Sequence, residues 1–255
     1  MENLFRLDGK VAVVTGGAGG IGRKLSLGLS HFGARVVVAS RNHEAICKVA
    51  TEIQAETGNE TFAIPVDVTD EDSVIQLVKS TTEKMGTIDI LVNSMGIASK
   101  RDAFDFPLAD WNQLFNVNVN GTMLVCKHVG RVFKPKRQGV IINMSSVRGL
   151  RGLDGGNAGY CSSKGAVELM TKALALEWAP YNIRVNAIGP ALIITPITIH
   201  IQQDPALAER YKAMVPMGRL GQTQDCVGAC IFLASPAADF ISGQTIYIDG
   251  GLTAK

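Results

Sequence analysis

The sequence predicts an α/β fold: one domain built on a doubly wound parallel sheet of about seven strands, with helices on both faces. Three observations carry this reading. Short apolar runs of strand length alternate with amphipathic runs of helix length down the chain. The first helical runs stop at Gly33, Gly58 and Gly86, where a residue without a side chain suits the left-handed turn that ends a helix. No linker or shift of composition divides the 255 residues, so 1–255 reads as a single domain.

The elements follow in order. Residues 10–15 (Lys-Val-Ala-Val-Val-Thr) form a strand buried on both faces, and the glycine-rich run 16–22 leads into a helix through about Phe32. Strand 35–40, helix 42–57, strand 61–66, helix 70–85 and strand 88–93 repeat the unit. Residues 111–134 read as a helix with a break near Asn120-Gly121, and 139–144 as a strand. A long helix from Tyr160 to about Ala179 stops before Pro180. Strand 183–188 leads to Gly189-Pro190, and 191–216, with Pro196, Pro205 and Pro216, reads as an irregular substrate lid. Helix 225–234 and strand 244–249 close the chain.

Composition narrows the function. Hydrophobic residues make up 46% and charged residues 19%, which is globular, and a net charge of +2 gives no case for nucleic acid or a membrane surface. No apolar run reaches the ~18 residues of a spanning helix. Met1 to Arg6 lacks the pattern of a signal peptide. The five cysteines (47, 126, 161, 226, 230) are scattered, which suits free thiols in a reducing cytoplasm rather than disulfides or a metal site.

Two stretches carry chemistry. Glycines between a buried strand and a helix let the backbone approach a pyrophosphate, which the amides and partial positive charge of the helix N-terminus then hold. Here the spacing is Thr15-Gly16-x-x-x-Gly20-Ile21-Gly22. At the end of the second strand an acid would bind the ribose 2′-hydroxyl of NAD, whereas a cation accommodates the 2′-phosphate of NADP. Ser40-Arg41-Asn42 stands there, with no acid before Glu44, which favours NADP(H) and leaves NAD(H) possible. A solvated Arg41 at a strand edge is the plainer alternative. The second stretch is Tyr160-x-x-x-Lys164, which puts a phenol and an ammonium one turn apart on one helix face. A neighbouring cation favours the phenolate, so such a pair can exchange a proton. The interval alone equally fits a half-buried tyrosine beside a solvated lysine.

Taken together, these motifs resemble the short-chain dehydrogenase/reductase family, and the similarity spans essentially the whole chain. Asn93-Ser94-Met95-Gly96 is similar to that family's Asn-Asn-Ala-Gly, Asn118 to the asparagine of its fourth helix, and Ser146 to the serine after its fifth strand. Gly189-Pro190-Ala191-x-x-x-Thr195 resembles its segment over the nicotinamide, and Ser242-Gly243-Gln244 with Asp249-Gly250-Gly251 its C-terminal pattern. The resemblance implies a Rossmann-type fold and hydride transfer between NAD(P) and a carbonyl/alcohol pair. It implies that Tyr160 is the acid/base, Lys164 lowers its pKa and holds the ribose, Ser146 binds the substrate oxygen, and Asn118 holds a water on the proton path. It further implies that Asp67 and Val68 bracket the adenine, Asn93 and Gly96 lie along the adenosine, and Ile188, Pro190 and Thr195 meet the nicotinamide end. Asp67 equally suits a turn carboxylate, and Ile188 plain strand packing. A tetramer or dimer, through the helices beginning near Trp111 and Tyr160, is the implied assembly.

Some positions depart from the family pattern. Met95 and Ser94 replace an alanine and an asparagine, and Ala191 replaces a glycine. Gly19 stands where many NADP-preferring members carry a basic residue. The Ser146–Tyr160 interval is slightly long, which leaves Ser145 as an alternative for the serine role. The substrate should meet residues 95–106, 147–158 and 191–216; the last holds Ile193, Ile194, Ile197, Ile199 and Ile201. Arg101, Arg148 and Arg151 on that edge suggest an anionic substrate group, and Asp102, Asp105 and Asp154 offer to neutralise them in surface ion pairs. The opening Asn3-Leu4-Phe5-x-Leu7-x-Gly9-Lys10 is similar to bacterial 3-oxoacyl and gluconate-type sugar-acid reductases of the family. The leading expectation is an NADP-dependent carbonyl reductase or alcohol dehydrogenase, against an NAD-linked polyol or sugar-acid dehydrogenase and a non-catalytic dinucleotide sensor.

Overall fold

The second and third βα units are cut to length by their caps. In a computed structural model describing residues 3–196 and 198–254, β1 (Val11–Thr15) is buried throughout and feeds α1 (Gly20–His31). After β2 (Arg35–Ser40), the Asn42 side chain accepts the Ala45 amide at 3.0 Å to start α2 (His43–Thr57), which ends at Gly58 with φ 73°. After β3 (Thr61–Pro65), Asp70 starts α3 (Glu71–Met85) in the same way, and Gly86 ends it. Then come β4 (Ile90–Asn93), α4 (Leu108–Phe115), a π turn (Asn116–Asn120), α5 (Gly121–Lys136) and β5 (Gly139–Met144). A one-turn α6 (Val147–Leu150) precedes the long α7 (Ala158–Trp178) and β6 (Ile183–Pro190).

The seven strands of the sheet run parallel in the order β3-β2-β1-β4-β5-β6-β9, where β9 is Thr245–Ile248. Alternation along each strand divides the apolar side chains between two cores. Ala12, Val14, Val36 and Val38 pack with α1, α2 and the late helix Val227–Ala234; Val11, Val13, Val37 and Ala39 pack with α3, α5 and α7. Strand order reverses between β1 and β4, and in such sheets the ligand crevice opens beyond the C-terminal strand ends at that reversal.

Two segments differ from the sequence expectation. The helix expected at 111–134 begins earlier, at Leu108, and its break is a π turn centred on Asn118 rather than a stop at Asn120-Gly121. The stretch 191–216 is not irregular. It holds β7 (Ile193–Ile194), which pairs with β8 (Gly221–Gln222), then α8 (Ile199–Gln203) and α9 (Pro205–Met214). The reason is Asp204-Pro205: the carboxylate accepts the Ala206 and Leu207 amides at 3.0 and 3.1 Å, and proline fits the first helical position. The expectations for Met1, Glu2 and Ile197 fall outside the described residues. Among those residues, no helix is long and apolar enough to cross a membrane.

Candidate active site

The crevice begins at the turn from β1 into α1, where three glycines are needed for different reasons. Gly16 has φ +70°, and a Cβ there would stand 2.8 Å from the Met95 amide nitrogen, so the loop after β4 packs directly on its backbone. At Gly22 a Cβ would stand 2.2 Å from the Gly16 carbonyl oxygen. A Cβ on Gly20 would reach Thr195 at 3.3 Å, so the start of the 191–216 segment overhangs the glycine turn. No side chain caps α1 at Gly19 and its first turn has no acid, which leaves a positive helix end with open amides. Half-buried Ile21 lies in that turn. A bare glycine cradle at an uncapped N-terminus fits the pyrophosphate of a dinucleotide.

At the neighbouring strand ends, Ser40 closes β2 and Arg41 is exposed, with no ion-pair or hydrogen-bond partner among the described residues. Asp67 makes a turn with Thr69, accepting its amide at 2.9 Å and its hydroxyl at 2.7 Å. Those bonds, and more weakly the charge of Arg41, hold its carboxyl below the usual range. The Val68 side chain is buried against Gly121. Asn93 turns its side chain into the sheet, where Thr15, Asn93, Asn143 and Thr171 form a buried polar ladder at 3.0 to 3.2 Å. Gly96 lies deeper in the crevice, where a Cβ would be 3.4 Å from Asn118 Oδ1 and 3.5 Å from Lys164 Nζ.

Four polar side chains converge beyond β4 and β5. Ser146 caps α6, accepting the Arg148 amide at 3.2 Å and donating to the Pro190 carbonyl at 3.3 Å. Its hydroxyl acts on the Tyr160 phenol, favouring the phenolate. Burial raises the pKa of Tyr160; hydrogen bonding from Ser146 and the charge of Arg148 oppose that rise. Lys164 is 3% exposed, its ammonium donates to the Met144 carbonyl at 2.7 Å, and it stands 5.8 Å from the centre of the Tyr160 ring. Burial lowers its pKa to about 8. Ser146 and Arg148 act on the phenol, and the Lys164 ammonium stands by the Tyr160 ring on the same face of α7. Asn118 clamps Ile97 by both its amide and its carbonyl at 2.9 Å and donates to Ser163 Oγ at 3.0 Å. Its own carbonyl accepts from Thr122 Oγ1 at 2.7 Å, a bond made where the π turn shifts the helical register.

Behind these groups stands a layer that the sequence reading missed. Ser145 donates to Glu168 Oε1 at 2.8 Å, and Tyr247 donates to Glu168 Oε2 at 2.9 Å. Glu168 follows Lys164 by one helical turn, so the same face of α7 supplies both groups. That interval was a usable signal for Glu168; nothing local could place Tyr247, which arrives from the far end of the chain. Ser145 is bonded to Glu168, whereas Ser146 is the serine that acts on the Tyr160 phenol. Among the described residues, no group of three or more His, Cys, Asp or Glu side chains is placed to hold a metal.

The 191–222 segment covers the crevice mouth. Pro190 ends buried β6, Ile188 is fully buried within it, and Thr195 is pinned by Thr198 Oγ1, which accepts its amide at 2.9 Å. Ile193 and Ile201 are buried, whereas Ile199 is exposed.

The chain is similar to known proteins over nearly its whole length. A family model described as enoyl-(acyl carrier protein) reductase matches residues 16–253. The chain is 37% identical to gluconate 5-dehydrogenase of Gluconobacter oxydans over 99% of its own length and 98% of the relative's. It is 37% identical to an NAD-dependent glycerol dehydrogenase of Listeria innocua, over 98% of the chain and 96% of that relative. The solved structure of a gluconate 5-dehydrogenase from Burkholderia cenocepacia in complex with NADP and tartrate superposes with a TM-score of 0.95 at 36% identity, covering 99% of this chain and 98% of that one. The chain therefore belongs to the short-chain dehydrogenase/reductase family, Rossmann-fold oxidoreductases that use NAD(P) to interconvert carbonyls and alcohols.

Proposed function

We propose that the protein is an NADPH-preferring reductase of a polyhydroxylated carbonyl compound, working in reverse as a secondary-alcohol dehydrogenase. The observation that carries this reading is the meeting of Ser146, Tyr160 and Lys164 beside a bare glycine cradle. When bound, the nicotinamide supplies or accepts the hydride. Gly16, Gly20, Ile21 and Gly22 hold the pyrophosphate. Ser40 and Arg41 hold the 2′-phosphate, a role that suits an exposed guanidinium with no acid partner. Asp67, Val68, Asn93 and Gly96 flank the adenosine, and Pro190 and Thr195 bound the nicotinamide end.

Tyr160 donates its phenolic proton to the forming alkoxide in reduction and takes the alcohol proton in oxidation. Ser146 binds the same oxygen and stabilises the charge that develops on it. Lys164 holds the ribose and adds positive charge, while Asn118 shapes the route by which the proton is replaced. Residues 191–216 act as the lid, excluding water when substrate is present. The protein works in the cytoplasm, which suits five free thiols, and assembles as a dimer or tetramer through α4, α5 and α7, where Leu169 and Leu176 are exposed. An NAD-linked polyol or sugar-acid dehydrogenase is the second reading, favoured by Gly19 and by the NAD-dependent Listeria relative.

Tyr160→Phe tests the mechanism. Hydride transfer, followed by NADPH absorbance, should fall by about 10³-fold, with NADPH affinity changed by less than about threefold. Retained turnover would end the proposal.

A further inference from the structure

Most arginines in this protein are already engaged. Arg6, Arg23, Arg35, Arg101, Arg184 and Arg219 each pair with a carboxylate, and Arg137 donates to the Pro180 carbonyl. Arg101, one of three cations on the substrate edge, is taken by Asp110 at 3.2 Å. Arg151, the second, is exposed and lies within the electrostatic reach of Asp249.

Arg148 is different. It is half-buried, and its side chain has no salt bridge or hydrogen bond among the described residues. Its charge acts on Tyr160 of α7, and the other cation in its surroundings is Arg151. Glu168, which approaches the next residue at Gly149, is committed to Ser145 and Tyr247. Desolvating a guanidinium without a carboxylate costs free energy, and an anion would offset that cost. The α6 turn keeps Arg148 beside the reacting end of the crevice, because its backbone amide is bonded to Ser146 Oγ, the group that would hold the reacting oxygen.

We propose that Arg148 is the specificity residue of the substrate pocket, its guanidinium binding a carboxylate of the substrate while Ser146 and Tyr160 hold the reacting oxygen. This inference rests on the oxidoreductase reading above and narrows its substrate to hydroxy and keto acids, in preference to neutral polyols.

The test compares D-gluconate with a neutral hexitol as substrates of wild type, Arg148→Met and Arg148→Lys, with NADPH binding by fluorescence as the check on folding. The acid-to-hexitol ratio of kcat/KM should fall on the order of 100-fold in R148M and less in R148K. Equal losses on both substrates would overturn the inference, since Arg148 would then act through Tyr160 alone; an unchanged ratio would overturn it as well. A wild type that reduces or oxidises neutral compounds and neither turns over nor is inhibited by D-gluconate would overturn it while leaving the oxidoreductase reading intact. If the wild type turns over nothing, the reading itself fails. Calorimetric titration of D-gluconate into wild type and R148K then still decides whether Arg148 binds carboxylate. R148K gives the same readouts should R148M not bind NADPH.

Discussion

The two sides of the crevice are built by opposite means. On the β1–α3 side the surface is backbone: three glycines whose missing side chains leave room, and a helix end with no cap. On the β5–α7 side it is made of side chains, and each is fixed by a second group. Ser146 is tied to the Pro190 carbonyl, Lys164 to the Met144 carbonyl, and Ser145 to Glu168, which also takes Tyr247. The first side suits recognition of a common, unvarying phosphate group. The second suits chemistry, where a few atoms must be held to within a fraction of an ångström. Damage should therefore read out differently on the two sides: cofactor affinity on one, rate and proton affinity on the other.

The largest effect is expected where a side chain is added to the backbone side. In Gly22→Ala the new methyl would meet the Gly16 carbonyl oxygen at 2.2 Å, so the turn must open. NADPH affinity by titration should weaken on the order of 100-fold, and the protein should lose roughly 1–3 kcal/mol of stability by denaturant melt. Unchanged affinity would dissolve the contrast between the two sides.

On the side-chain side, pH is the sharper probe. Burial lowers the Lys164 pKa from 10.5 to about 8. Between those values the unfolded chain binds a proton that the folded protein has released, so folding stability rises with pH across that window. Relative to Lys164→Met, the wild type should gain about 3 kcal/mol from pH 8 to 10.5, and that gain should vanish as pH falls through 8. A flat difference across the window would mean that the ammonium is solvated. The smallest effect belongs to Arg41→Ala, which should cut the NADPH-over-NADH preference in kcat/KM by about tenfold with little change in kcat. An unaltered preference would remove Arg41 from cofactor choice.

The contrast also governs what could be read from sequence. Unbroken apolar runs marked β1 and β2 to within a residue, because a strand covered on both faces admits few other patterns. The glycine turn was legible for the same reason: a missing side chain is visible in a sequence. Tyr160 and Lys164 were legible as a pair by helical interval, yet their electrostatics were not. Arg148, on a separate one-turn helix, also acts on the phenol, and the ammonium donates to a carbonyl of β5. The helices of the lid were hidden because three prolines read as breakers, although Asp204-Pro205 is itself a helix start. Asn93 shows a further gap. Its place at the end of β4 suggested the cofactor, while its side chain serves the buried ladder between strands.

The π turn at Asn116–Asn120 bears on how this chain tolerates changes of length. A π turn holds one residue more than an α-helix needs and absorbs it within a single turn, so the faces on either side keep their alignment. Shedding that residue would let α4 run into α5 as one α-helix, with Leu114 still in the core and the Trp111–Phe115 stack, ring centres 5.0 Å apart, still on its side. The loss would be local: Asn118 would leave the position from which it makes both its bonds to Ile97. The extra residue between Leu108 and Lys136 thus serves the crevice rather than the packing of the helix.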